Sequence, residues 1–164
     1  MPKNKTSNSK INWKVLIISL IVVYVFVGLG SMFTKIDSWY YSVKPSITPP
    51  NIAFPIVWTI LFFLIAISIY LSWTNSEKNN KDKSRKRNII ILFGINLILN
   101  ALWSYVFFTM KNPIAAFVIL ILLWFSILSL LLFTWRISKK AGYCIIPYLL
   151  WVSFAGILNY LIAF

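Results

Sequence analysis

The chain has no histidine, only three acidic residues against sixteen basic ones, and a single cysteine. Without imidazole there is no Ser-His-Asp or Cys-His catalysis, no imidazole metal site, and no source of the commonest axial ligand for haem iron. The three carboxylates, Asp37, Glu77 and Asp82, are all expected in loops, so paired-carboxylate chemistry is missing from the apolar segments. Nor does any Lys or Arg interrupt those segments, which removes the buried charges that proton relays and voltage sensors use. Cys144 has no internal disulfide partner and says nothing of redox compartment. No metal site is expected.

Charge is scarce altogether. Of 164 residues 12% are charged, 60% hydrophobic and 18% aromatic, with a mean hydropathy of +0.81. A soluble domain needs roughly a quarter of its residues charged, so the composition describes an integral membrane protein with no separate soluble domain. Five apolar segments, residues 12–34, 54–73, 88–110, 113–135 and 143–164, are each near the length of about 20 residues that spans a hydrocarbon core. The expected fold is therefore all-α, a polytopic bundle of five transmembrane helices forming one membrane domain over residues 1–164. The first segment is too long for a signal-peptide core and lacks an A-x-A-like cleavage site, so it is read as a retained helix.

With five spans, thirteen basic residues collect at the N-terminus and in the second and fourth loops, against three (Lys35, Lys44, Lys111) on the other side. This bias predicts a cytoplasmic N-terminus, with the first loop and the C-terminus outside. The basic run KNNKDKSRKR is explained by orientation and attraction to anionic membrane lipid, and no nucleic-acid partner is expected.

Between the first two spans, WYYSVKPSITPPNIAFPIVW holds four prolines. Each fixes its own φ and biases the residue before it, here Lys44, Thr48 and Phe54, toward extended backbone. A loop this stiff reads as an ordered cap beside the mouth of the bundle.

Helical spacing then sorts the polar and aromatic residues. In NLILNALWSYVFF, Asn96, Asn100, Trp103 and Phe107 share one face, with Ser104 beside it. In the second span Trp58 and Phe62 begin a stripe continued by Ile65 and Ile69, and in IPYLLWVSFAGILNY Tyr148, Trp151, Ala155 and Asn159 lie along one face. These faces serve either as interhelical hydrogen-bonding and close-packing surfaces or as walls of a ligand pocket. If a pocket, it suits a flat, mostly apolar ring system with a few polar edges, held by aromatic stacking and amide hydrogen bonds. Lys44 and Lys35, near its mouth, could pair with ligand carboxylates. Trp13, Trp73 and Trp135, at span ends, read as interface anchors.

These three segments, in this order within five spans, resemble the TspO/MBR family, the tryptophan-rich sensory proteins related to the mitochondrial translocator protein. The resemblance covers nearly the whole chain. It implies a five-helix bundle, often a homodimer, in a bacterial or archaeal cytoplasmic membrane. A pocket under the first loop would bind porphyrins such as protoporphyrin IX, with no cofactor required; some relatives also bind sterols and isoquinoline carboxamides. Carried over by position, Trp58, Phe62, Asn100, Trp103, Trp151 and Ala155 fall where the family lines its pocket, and Trp39 or Tyr40 where the loop adds an aromatic. WYYSVKP is one residue shorter than the common W-Y-x-x-L-x-K-P spacing, which leaves the choice between Trp39, Tyr40 and Tyr41 open. Tyr160 is followed by no basic residue, against the sterol-recognition pattern of the eukaryotic fifth helix, and Trp103 stands where relatives can carry Phe, which narrows the pocket.

The resulting expectation is a membrane receptor for tetrapyrroles, for sensing, trafficking or disposal. The alternatives are a light-dependent porphyrin-degrading enzyme using Trp58 and Trp151, and a transporter of small amphipathic molecules such as sterols. The chain has no discontinuous-helix signature or clear inverted repeat to support coupled transport.

Overall fold

The computed structural model describes residues 11–78 and 83–164. The elements are α1 (Trp13–Phe33), a short α2 (Ser38–Val43), α3 (Ala53–Lys78), α4 (Lys83–Ser104) running on into a π-helical turn (Tyr105–Thr109), α5 (Pro113–Ile137) and α6 (Lys139–Ala163). All but α2 are long and apolar enough to cross a membrane. The protein is an all-helical, five-span integral membrane bundle, with α2 as an extra turn of order in the proline-rich loop.

Short polar side chains start the helices. Asn12 accepts from Val15 N at 3.3 Å for α1, Asp37 from Tyr40 N at 3.2 Å for α2, and Asn112 from Ala115 N at 3.0 Å for α5, where Pro113 takes the first helical position. Ser138 alone separates α5 from α6 and caps the latter through Ala141 N at 3.5 Å.

Four helices outrun their apolar segments. α3 continues past residue 73 to Lys78, α4 begins before residue 88, α5 runs past residue 135 to Ile137, and α6 begins before residue 143. Hydropathy marks where hydrocarbon ends, whereas a helix continues into water as long as its polar turns find partners. Glu77, expected in a loop, is therefore helical; its carboxylate accepts from Trp73 Nε1 at 3.0 Å and pairs with Lys86 Nζ at 2.9 Å, tying α3 to α4. Lys3, Lys5, Lys10, Lys81 and Asp82, which entered the charge reading, lie outside the described residues. Lys44 is extended as expected, with φ −63° and ψ 131°. Phe54 is not: it sits in the first turn of α3, where Pro55 lacks only an N–H that would have no acceptor there.

The five long helices pack as a closed ring, α1 on α3, α3 on α6, α6 on α5, α5 on α4, and α4 back on α1. Near the middle the ring is filled by Ile65, Ala66, Leu97, Ile127, Ile145 and Tyr148, all buried. A smaller cluster of Tyr40, Val106, Phe107 and Ala116 joins α2 to the π-turn and to α5.

The α5–α6 corner depends on Gly142. A Cβ there would stand 2.5 Å from Trp135 Cε3 and 3.3 Å from Trp135 Cα, a backbone atom that cannot swing aside. Gly142→Ala is expected to destabilise the protein by about 1–3 kcal/mol, as overpacking does. Gly94→Ala, with nothing within 4 Å of the added carbon, should be tolerated. Thermal unfolding of both variants in the same detergent tests the contrast.

Candidate functional site

Between the filled middle of the ring and the proline-rich loop lies a cavity of about 470 Å³, within the range of about 300–1,000 Å³ usual for small-molecule sites. Four long helices wall it: α1 through Phe26, Val27 and Gly30, α3 through Trp58 and Phe62, α4 through Asn100 and Trp103, and α6 through Trp151, Ala155 and Asn159. Tyr40, Thr48, Asn51 and Phe54 close it from the loop side.

Of the residues singled out by sequence, Tyr40, Trp58, Phe62, Asn100, Trp103, Phe107, Trp151, Ala155 and Asn159 are brought together on this wall. The loop aromatic is Tyr40, which is buried, while Trp39 turns away and packs edge-on against Phe107 at 5.6 Å. Lys44 also lies off the wall, its Nζ 5.1 Å from the centre of the Tyr41 ring. Asn96 and Tyr148 are fully buried behind the cavity. There they serve the interhelical alternative: Asn96 Nδ2 donates to Ser126 Oγ at 2.7 Å, the Tyr148 hydroxyl donates to Asn96 Oδ1 at 3.2 Å, and Asn100 Nδ2 donates to Tyr148 at 3.3 Å.

The aromatics are held in fixed attitudes. Trp58 stacks on Phe62 with centroids 5.2 Å apart and meets Tyr148 edge-on at 6.1 Å. Trp103 stacks on Phe107 at 5.2 Å, and its Nε1 donates to Asn159 Oδ1 at 3.0 Å. Asn159 is locked in turn by donating to the Pro113 carbonyl at 2.9 Å. Trp103 thus offers the cavity a ring face and no free N–H. Trp151 differs, because its Nε1, like Thr48 Oγ1, is buried with no hydrogen-bond partner among the described residues. Two wall residues therefore carry unused polar capacity, which is uncommon for buried groups.

Phe108 escaped the sequence reading. Met110 N bonds to Tyr105 O and Asn112 N to Val106 O, so the turn is wider than α, and Phe107 and Phe108 both reach the cavity. Neighbours in a regular helix point about 100° apart, and no signal in the sequence marks the extra residue. The α1 residues escaped too, because a uniformly apolar helix gives no contrast between its faces.

A profile of the TspO/MBR family matches residues 17–164. The chain belongs to this family. It is similar to the tryptophan-rich protein TspO of Chlorobaculum tepidum, 45% identical over 138 residues covering 81% of this chain and 84% of that one. The tryptophan-rich protein TspO of Archaeoglobus fulgidus is 37% identical over 150 residues, covering 90% of this chain and 94% of the relative. Similarity extends to the translocator protein of Bos taurus, 28% identical over 135 residues, 80% of this chain and 78% of the relative.

The cap α2 is pinned to the α4–α5 turn. Lys111 Nζ meets Asp37 Oδ2 at 2.7 Å and lies 5.8 Å from the Trp39 ring centre, and Thr109 Oγ1 donates to the Phe33 carbonyl at 3.2 Å. Lys111 does this from φ 51°, a left-handed position that suits glycine better. The bond from Lys111, and then the backbone N–H of Tyr40, hold the Asp37 carboxyl below its ordinary value. A lowered folded-state pKa means the contact contributes fully above the ordinary carboxylate pKa and is lost as pH falls through the lowered value. Protection of the amides of residues 39–43 from exchange, taken relative to the intrinsic rate at each pH, should accordingly hold at neutral pH and fall only under acid conditions. Lys111→Met should speed their exchange at neutral pH by no more than about fivefold, the pair being exposed.

Proposed function

We propose that this protein is a membrane receptor that holds a porphyrin-like tetrapyrrole in the cavity beneath the first loop, for sensing, trafficking or disposal. The observation that carries the reading is the wall itself, where indoles from α3, α4 and α6 surround one space and the buried Trp151 Nε1 and Thr48 Oγ1 have no partner among the described residues. An apolar solute gains little by leaving lipid for an equally apolar pocket, so affinity must come from stacking and directed hydrogen bonds. Flat rings supply the first, and polar edges or carboxylates the second. Lack of histidine favours a metal-free porphyrin over a ligated haem. The charge bias supports a cytoplasmic N-terminus with the loop outside, and the bacterial and archaeal relatives support a cytoplasmic membrane.

A photochemical role is the second reading, favoured by Trp58 and Trp151 both standing on the wall where they would touch an excited ring. A receptor returns its porphyrin unchanged; an enzyme yields one product over many turnovers under light, lost in Trp58→Phe or Trp151→Phe.

Titration of the purified protein with protoporphyrin IX in the dark, read by tryptophan quenching, is expected to saturate near one ligand per chain. Asn100→Leu and Trp151→Phe should each weaken binding roughly fivefold, the worth of about 1 kcal/mol for one hydrogen bond. Non-saturating quenching, equal in all variants, would mean partition into the detergent or lipid phase and would remove the tetrapyrrole reading.

A further inference from the structure

The cavity has a hydrogen-bonding polarity that is set from outside it. The Ser126 hydroxyl donates to the Leu123 carbonyl at 2.7 Å, and a carbonyl can only accept, so the single proton of Ser126 is committed there. Its contact with Asn96 at 2.7 Å must then be a donation from the Asn96 amide nitrogen, which turns Asn96 Oδ1 toward Tyr148. The phenol has one proton and gives it to that oxygen. It can therefore only accept from Asn100, whose Nδ2 points one of its two N–H groups at it from 3.3 Å. Asn100 stands on the wall of the cavity, and its Oδ1 has no donor among the described residues. Neither Ser126, Asn96 nor Tyr148 lines the cavity, yet together they orient Asn100, which does.

We infer that Ser126, Asn96 and Tyr148 are positioning residues that fix the Asn100 amide with its nitrogen on the phenol and its oxygen free, so that the site favours flat ligands presenting an N–H or O–H to that oxygen over those presenting a carbonyl or ether oxygen there. The inference rests on the cavity being a ligand site. It adds a direction to that site. Turning the Asn100 amide over would set its oxygen against the phenol oxygen, two acceptors with no proton between them, in a buried setting where such a mismatch is costly. The neighbouring amide differs: Asn159 has a protein partner at both ends, its oxygen accepting from Trp103 and its nitrogen donating to Pro113, whereas the Asn100 oxygen has none among the described residues.

Carbazole and fluorene test this, because they share one tricyclic outline and differ by an N–H in place of a CH₂. Binding of each to the full chain in phosphatidylcholine nanodiscs is measured by equilibrium dialysis and corrected with empty nanodiscs. Carbazole is expected to bind about tenfold tighter, as one buried hydrogen bond allows, and Asn100→Leu should bring the two together. Ser126→Ala and Tyr148→Phe, which free the amide to turn, should shrink the ratio; a merely structural loss would weaken both ligands alike and leave it unchanged. Saturable binding of both at equal affinity in the unaltered protein would overturn the inference while leaving the cavity as a ligand site. A ratio untouched in both Ser126→Ala and Tyr148→Phe would overturn the positioning role. No saturable binding of either would overturn the cavity reading and this inference with it.

Discussion

Everything in this bundle is arranged around buried amides that have no water to turn to. In a hydrocarbon setting, lipid is as apolar as leucine, so helices are not driven together by exclusion from water; close packing and interhelical hydrogen bonds decide which faces meet, at about 0.6 kcal/mol for each such bond. Here Asn96 joins α4 to α5 through Ser126, and the Tyr148 hydroxyl from α6 bridges Asn96 and Asn100. Asn159 of α6 adds Trp103 and the first residue of α5. Trp124 reinforces the α5–α6 pair by donating to Ser153 at 2.8 Å, and Ser68 brings α3 onto the start of α6 through the Ala141 carbonyl at 2.9 Å. Each tie is individually weak, but breaking one leaves a buried polar group without a partner, and the penalty for that exceeds the bond's net worth.

The same ties explain where the empty space is. Through the middle of the ring Ile65, Leu97, Ile127 and Ile145 fill the volume between helices that hydrogen bonds hold close. Toward the loop the side chains change character, and Trp58 and Trp103, braced by stacking, and Trp151, edge-on to Phe54 at 5.8 Å, stand around a cavity instead of filling it. The stiff loop finishes the enclosure. Its prolines and the α2 cap bring Tyr40, Thr48 and Phe54 over the opening, and the π-turn lets Phe107 and Phe108 support α2 from below through Trp39 and Tyr40. The cap itself is held by these aromatic contacts and by the exposed Lys111–Asp37 ion pair.

The number and type of the long helices, and nine of the wall residues, were legible in the sequence because each depends on contrast. An apolar run between charged loops marks a span, and an amide or indole on an apolar face marks an inward face. Where contrast vanishes the sequence is silent, as along α1, whose wall residues look like its lipid-facing ones. Spacing alone also could not divide a shared face: Asn96 and Asn100 are one helical turn apart, yet the first is sealed behind Tyr148 while the second reaches the cavity. That division depends on which helix packs opposite, a tertiary fact. Phe108 was hidden for a further reason, because the π-turn changes the period on which face assignments rest. Helix ends were misplaced wherever polar turns such as the one holding Trp73, Glu77 and Lys86 continue past the apolar run.

One buried polar chain is structural at Asn96 and, on the function proposed above, faces a ligand at Asn100. The most direct measurement is the NMR spectrum of side-chain amides in protein labelled with ¹⁵N at asparagine, with the two residues assigned through their leucine variants. The account predicts that both amides exchange slowly with water, and that protoporphyrin IX added in the dark shifts the Asn100 resonances strongly while those of Asn96 stay nearly in place. Fast exchange at Asn96, or a shift there as large as at Asn100, would contradict it.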